Sequence, residues 1–234
     1  MILDDFPKIL WINLDGSVER RKYMETLLES RKLDAIRIPA INGELLDIEF
    51  RNFCVPNRLY YTRENACTCS HLKALRYFIE KMSDEKIIVF EDDVSFEFLE
   101  FVPFNWSQLI LMLPKNYNIV QLATSAAKVS LDITEINADS KSYGTVAYLI
   151  TRTAAMQLLD KYYSKKFGKF ILRNQIWVTA DSALYSLPAT YRVPIFTYTN
   201  SDSTIHSIHL QKHANSKQQQ LELWRLKKLN KNEP

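Results

Sequence analysis

The sequence predicts a layered α/β sheet with helices on both faces. Short apolar runs of strand length alternate with longer segments whose apolar residues recur every three or four positions, the order expected of such a layered domain. Several of the short runs are apolar throughout rather than alternating, as strands covered on both faces are. At 234 residues and 47% hydrophobic content the chain can bury one large core.

The elements follow in order. Ile9 to Leu14 is an apolar run of strand length, and Asp15-Gly16-Ser17 supplies a turn and a helix cap. Between Val18 and Lys32, Met24, Leu27 and Leu28 recur at helical spacing among charges, giving one buried stripe. Ile36 to Ala40 is the next strand, ended by the turn signal Asn42-Gly43. Cys67 to Met82 carries Leu72, Leu75, Ile79 and Met82 on one helical face, and Ile87 to Phe90 is a short buried strand suited to a parallel sheet. Asn118 to Ala123 and Thr145 to Ile150 read as strands, and Arg152 to Tyr163 as a helix packed through Ala155, Met156 and Leu159. After a last strand, Tyr191 to Tyr198, the composition turns to Ser, Asn, His, Gln and Lys, and Leu221, Trp224 and Leu229 form the apolar side of a final helix.

The net charge of +3 is unevenly placed. Six of the 30 Lys and Arg residues, but only two of the 27 Asp and Glu residues, lie from Leu210 onward. The expected division is therefore a domain over 1–209 and a basic, helical tail over 210–234. The body is close to neutral, which argues against a nucleic-acid partner. Three cysteines are too few for a disulfide framework, and Cys67 and Cys69 are one residue closer than a metal knuckle requires, so buried free thiols are expected. Four glycines leave no glycine-rich phosphate loop, which excludes P-loop and dinucleotide-binding chemistry. The longest strongly apolar stretch, Leu109 to Leu113, is far short of the roughly 20 residues of a membrane span. The N-terminus does not resemble a signal peptide, so a soluble, cytoplasmic chain is the default expectation.

Glu91-Asp92-Asp93 directly follows the run Ile87 to Phe90, where that strand leaves the sheet. In open α/β sheets ligands bind outside the carboxyl ends of the strands. Three adjacent acids repel one another and lose hydration on burial, and a divalent cation relieves both costs. Oxygen ligands suit Mn²⁺ or Mg²⁺, ions that commonly bridge phosphate oxygens. Alternate residues at a strand end point the same way, so Glu91 and Asp93 face one ligand, with Asp93 the direct metal ligand, while Asp92 faces elsewhere. The alternative is a solvated acidic turn.

The segments ILWINLDGSVERR, AINGELL, ACTCSHLKALRYFIE, IIVFEDDVSFE, YGTVAYLITRTAAMQLL and SDSTIH resemble, in order, the blocks of glycosyltransferase family 25. That family includes bacterial lipooligosaccharide galactosyltransferases and collagen hydroxylysine galactosyltransferases. The resemblance runs from Ile9 to His206 and implies a GT-A-like fold, a UDP-sugar donor, Mn²⁺ dependence, inversion at the anomeric carbon, and a protein or glycan acceptor. Glu91, Asp92 and Asp93 match its acidic motif, and Ile12, Asn13, Leu14 and Arg20 its first block, near which the uridine end of the donor is expected. Ser70 and His71 match its Ser-His pair, Asp181 a downstream Asp, and Ser203, Thr204 and Ile205 its late block. Asn42-Gly43 stands where the family usually has Asp-Gly, and Cys69 where Leu is common.

The implied roles each have an ordinary counterpart. Asp181 is a candidate general base for the acceptor hydroxyl, or a helix N-cap. Asp92 joins it as a candidate catalytic carboxylate. His206 is a candidate third metal ligand, with His209 three residues away as its rival. His71 is a donor-side residue or a core histidine bonded to backbone. Arg20 and Arg21 steady the diphosphate or form the wet face of the first helix. Tyr143, Gly144 and Thr145 admit a sugar closely or make a turn. Trp11 and Trp177 stack on a sugar or fill the core. Glucosyl transfer, a catalytically silent sugar-nucleotide-binding module and a Mg²⁺-dependent phosphohydrolase are the competing functions.

Overall fold

A computed structural model of the chain describes residues 3–43, 54–56, 62–126, 129–136, 144–173, 179–199 and 210–231. Its elements are β1 (Ile9–Asn13), α1 (Val18–Ser30), β2 (Ala35–Pro39), β3 (Cys54–Val55), α2 (Thr62–Lys81), β4 (Lys86–Glu91), β5 (Val94–Ser95), a 3-10 turn (Glu97–Glu100), α3 (Trp106–Met112), β6 (Ile119–Gln121), β7 (Thr134–Ile136), β8 (Ala147–Thr151), α4 (Arg152–Tyr162), β9 (Tyr163–Ser164), β10 (Lys169–Ile171), α5 (Ala180–Leu184), β11 (Thr190–Arg192), β12 (Thr197–Tyr198) and α6 (Leu210–Lys231).

Seven strands form the central sheet in the order β2-β1-β4-β8-β6-β11-β7. The side-chain alternation of β4 shows why it is apolar throughout. Ile87 and Val89 enter one core with Leu72, Leu75 and Phe78 of α2, Ala155 and Leu158 of α4 and Ala183 of α5. Ile88 and Phe90 enter the opposite core with Met24 of α1, Trp106 and Leu109 of α3 and Trp224 of α6. Each fully buried side chain of this kind contributes roughly 1.5–3 kcal/mol. The layered α/β class with helices on both faces is therefore as expected.

The sheet is mixed, which corrects the parallel reading of its strands. β1, β2, β4, β6 and β11 share one direction, while β8 runs antiparallel to β4 and β6, and β7 antiparallel to β11. An apolar run reports that both faces are covered and is silent about direction. The reversal matters because it brings the beginning of β8 to the edge where β1, β4 and β6 end.

Other departures have local causes. α2 begins at Thr62, five residues before Cys67, and its first half is buried nearly all round, including Asn65, Thr68, Ser70 and His71. Thr68 and Ser70 donate their hydroxyls to the carbonyls of Glu64 and Ala66, so the helix satisfies them internally. Ser70 Oγ also accepts from the Ile41 amide at 2.8 Å, pinning the segment after β2 to α2. Gly43 lies there because a Cβ would sit 2.6 Å from Arg63 Cα. α4 buries Ala154, Ala155, Leu158 and Tyr162 and leaves Met156 half exposed, so its stripe is displaced from the expected one. The run 191–198 divides at Pro194 into β11 of the main sheet and β12, which pairs with β5. Cys54 and Cys69 are buried, Cys67 is partly so, and all three are free.

The expected final helix is present as α6, docked through Leu221 and Trp224, whereas Leu229 is exposed. Trp224 is fully buried and donates Nε1–H to the Pro194 carbonyl at 2.8 Å. Its basic residues lie along the body. Lys217 pairs with Glu97, Lys227 with Asp132, and Lys228 donates to the Glu100 carbonyl. Trp224→Ala should destabilise the whole chain by about 3–5 kcal/mol, the usual loss for a buried tryptophan. Urea denaturation measures it, and a loss below about 1 kcal/mol would mean that α6 adds nothing to the core.

Candidate functional site

The carboxyl edge of the sheet assembles the site. Asn13 ends β1, Glu91 ends β4, Gln121 ends β6, Arg192 ends β11, and Thr145 lies just before antiparallel β8. Beneath the edge, Phe90 and Phe96 pack against Phe196 with ring centroids 5.1 and 5.0 Å away, holding both sides of the acidic turn on a rigid base. From the turn itself the Asp93 carbonyl accepts the Thr199 amide at 2.7 Å.

The three acids have three different environments. Glu91 points toward α2 and β8. One of its carboxylate oxygens accepts the Thr145 hydroxyl, and His71 Nε2 is 3.3 Å away. Burial opposes ionisation of Glu91, but the His71 and Thr145 contacts and the Arg20 charge outweigh it and hold the carboxyl below its ordinary range. Asp92 points the other way, toward α1. Its Oδ2 accepts from Asn13 Nδ2 at 2.7 Å and its Oδ1 from Arg20 Nη1 at 2.8 Å. Asp93 has neither kind of support. Its Oδ1 is buried without a hydrogen-bond partner, and burial together with the Glu91 and Asp92 charges pushes its pKa up to about 7 in spite of Arg20. A buried carboxylate oxygen without a partner is costly unless something absent from the protein chain completes it.

That orphaned oxygen fits a divalent cation, although the chain offers only part of a ligand shell. Among the described residues no three His, Cys, Asp or Glu side chains gather into a metal-binding group. His206, the expected third ligand, and its rival His209 lie outside the described residues, as do Ser203, Thr204, Ile205, Tyr143 and Trp177.

The remaining expected residues sort clearly. Arg20 reaches the acidic turn through Asp92. Asn13 is 1% exposed, and its amide is engaged with Asp92, the Ser17 carbonyl and two arginines. Ile12 is a core residue, and Leu14 is half-buried with its carbonyl accepting from the Ser17 amide. Ser17 occupies the N-cap of α1 but makes no side-chain capping bond. Ser70 is the pin described above. His71 is buried, yet its ring meets the Tyr148 hydroxyl at 3.2 Å and Glu91 rather than backbone. Arg21 is bonded to Asp15 and Asn13 and is more than a solvated residue of α1. Trp11 is core.

Asp181 stands in the first turn of α5, where the N-cap is Thr179, so the capping alternative for Asp181 does not hold. One of its carboxylate oxygens accepts from the Ser182 amide. Its helix packs through Ala183 and Leu184 into the core it shares with α2, the helix whose His71 meets Glu91. Burial is the main force pushing the Tyr148 and Tyr185 phenols well above their ordinary range, so both stay protonated and able to donate. Tyr185 donates to the Gly144 carbonyl at 2.9 Å.

Four residues of this edge escaped sequence reasoning: Arg37, Gln121, Tyr185 and Arg192. Each is an ordinary residue in its local sequence. Only the β11–β6 register, which sets Arg192 beside Gln121, and the β1–β2 register, which sets Arg37 beside Trp11, reveal three of them.

The family model described as glycosyltransferase family 25 (LPS biosynthesis protein) matches residues 6–171. Among solved structures, the chain is similar to a glycosyltransferase involved in glycosylation of the major capsid of PBCV-1, with 8% identity, TM-score 0.39, and coverage of 90% of this chain and 98% of that one. It is also similar to the glycosyltransferase GlyE of Streptococcus pneumoniae TIGR4, with 10% identity, TM-score 0.42, and coverage of 97% and 63%. A third is the inositol-1-phosphate CTP transferase of T. maritima, with 11% identity, TM-score 0.37, and coverage of 90% and 77%. No curated protein matches the sequence significantly.

Proposed function

The chain belongs to glycosyltransferase family 25, and from that premise we propose that it is an inverting, metal-dependent galactosyltransferase acting from UDP-galactose on a hydroxyl of a glycan or of hydroxylysine. Family membership carries sugar transfer from a sugar-nucleotide donor. The finer reading rests on Asp93, a partly buried carboxylate with one buried, unpartnered oxygen at the carboxyl edge of the sheet.

In this reading Asp93 and Glu91 hold Mn²⁺, or Mg²⁺, with His206 as the third protein ligand. Such ions are commonly bound by one or two carboxylates, with phosphate oxygens and water completing the shell. When bound there, the cation supplies Lewis-acid stabilisation of the departing diphosphate. Arg20, fixed by Asp92, adds positive charge beside the same turn. His71 and Thr145 keep Glu91 ionised and oriented. Asp181 takes the proton of the acceptor hydroxyl as general base. The end of β1 around Ile12 to Leu14 lies toward the nucleoside, with the Ile12 side chain in the core and the Asn13 amide engaged.

The test is release of UDP from UDP-galactose and from UDP-glucose, each with Mn²⁺ or EDTA, and with or without a hydroxylysine peptide or a glycan acceptor. Mn²⁺-dependent, acceptor-stimulated release from UDP-galactose is expected. Preference for UDP-glucose would reassign the sugar. UDP binding with no release under any condition would leave a sugar-nucleotide-binding module in place of an enzyme.

A further inference from the structure

Two buried side-chain amides flank the acidic strand end, and each is held by an arginine from the neighbouring strand farther out. On one side Asn13 of β1 is 1% exposed. Its Oδ1 accepts from Arg37 Nε at 3.0 Å and Arg21 Nε at 3.4 Å, and Arg37 Nη2 also reaches the Asn13 carbonyl and Asp15. With the oxygen so occupied, Nδ2 donates to Asp92. On the other side Gln121 of β6 is fully buried. Its Oε1 accepts from Arg192 Nε at 2.6 Å, and Nε2 donates to the Gly144 carbonyl at 2.8 Å. Gly144 adopts φ +99°, a conformation suited to glycine, and precedes the Thr145 whose hydroxyl meets Glu91.

The orientation of each amide follows from this chemistry. Turning Asn13 over would set its NH₂ against guanidinium donors and its oxygen against the Asp92 carboxylate, and turning Gln121 over would set oxygen against the Gly144 oxygen. We propose that Arg37 and Arg192 are positioning residues, each locking a buried amide so that its NH₂ braces the acidic strand end from opposite sides. Arg37 acts through Asn13 on Asp92, and Arg192 acts through Gln121 and Gly144 on Thr145 and Glu91. The carboxylate left without a brace is Asp93. The inference deepens the functional reading above and rests on it.

Arg37→Gln and Arg192→Gln remove the guanidinium donors. Gln121→Glu keeps an acceptor for Arg192 while removing the NH₂ from Gly144. Arg37→Lys and Arg192→Lys retain charge but not the fork, and Arg76→Gln, which breaks a surface pair with Glu80 and a contact over the Tyr163 ring, both away from the acidic turn, controls for loss of an arginine. Mn²⁺ affinity measured by electron paramagnetic resonance without donor, kcat and KM for UDP-galactose, and melting temperature form the readouts. Arg37→Gln, Arg192→Gln and Gln121→Glu should each weaken Mn²⁺ binding or kcat by about 10–100-fold, the usual effect of disturbing groups that orient metal ligands. The lysine variants should recover part of the loss, and Arg76→Gln should match wild type. Variants that equal wild type in Mn²⁺ affinity and kcat, beside an active wild type, overturn the inference alone. A wild type that neither binds Mn²⁺ nor releases UDP overturns the functional reading and the inference with it. Losses that follow melting temperature alone, with no recovery by lysine, also overturn it.

Discussion

Asp93→Asn should abolish transfer while making the cation-free protein more resistant to heat above neutral pH. The two effects have one cause. Asp93 carries a buried, unpartnered oxygen beside Glu91 and Asp92, so its charge is unfavourable unless a cation, as proposed, offsets it. Removing that charge removes several kcal/mol of stabilisation from the departing diphosphate, and kcat/KM should fall about 10³-fold or more. Without cation the folded pKa, about 7, lies above the unfolded value of 3.8. The stability that protonation of Asp93 contributes is thus complete below about pH 4 and is lost as pH rises through about 7. The asparagine variant does not undergo that loss. Its melting temperature should coincide with wild type near about pH 4 and exceed it near about pH 8, at about 2–4 °C per kcal/mol. Melting curves across pH in EDTA, beside UDP-release rates, check both halves. An active variant, or one whose melting temperature follows wild type at every pH, would falsify the placement of the cation on Asp93.

Asp92→Ala should act in the opposite sense, through stability. It leaves the partly buried Arg20 guanidinium and the buried Asn13 amide without their shared acceptor. Breaking one side of a partly buried pair of this kind costs about 1–3 kcal/mol, less than the loss at a fully buried one. Arg20→Ala combined with Asp92→Ala should cost clearly less than the sum of the two, since the second change removes the stranded partner. Urea midpoints for the two single variants and the double variant close the cycle. Additive losses would show that the pair does not interact. Asp92 was expected among the catalytic groups; both of its oxygens are engaged, by Asn13 and by Arg20.

The acidic turn was legible because Ile87 to Phe90 is apolar throughout and three acids follow at once, the pattern of a covered strand ending in an acidic turn. What each acid does was not legible. Asp92 is defined by Arg20, 72 positions earlier, and Glu91 by Thr145, 54 positions later. Strand direction was hidden for a related reason: Ala147 to Ile150 is equally apolar whichever way β8 runs. Helix burial misled where small polar residues satisfy themselves, as Thr68 and Ser70 do on α2. The charge imbalance after Leu210 marked a basic, helical tail but not its partners: Lys217 and Lys227 find their acids on the body.

The last helix has a mechanical consequence for the chemistry. The Tyr198 hydroxyl donates to the His213 carbonyl, Lys217 reaches the Tyr198 carbonyl, and Tyr198 is paired with Val94, the residue after Asp93. Ser216 and Gln220 meanwhile grip the carbonyls of Ala126 and Thr124, beyond the end of β6. A pull on α6 therefore reaches the carboxyl edge of the sheet at two points at once. The 22 residues of α6 form a keystone seated across both flanks of the acidic turn, and loosening it would unseat the turn without touching any of its three carboxylates.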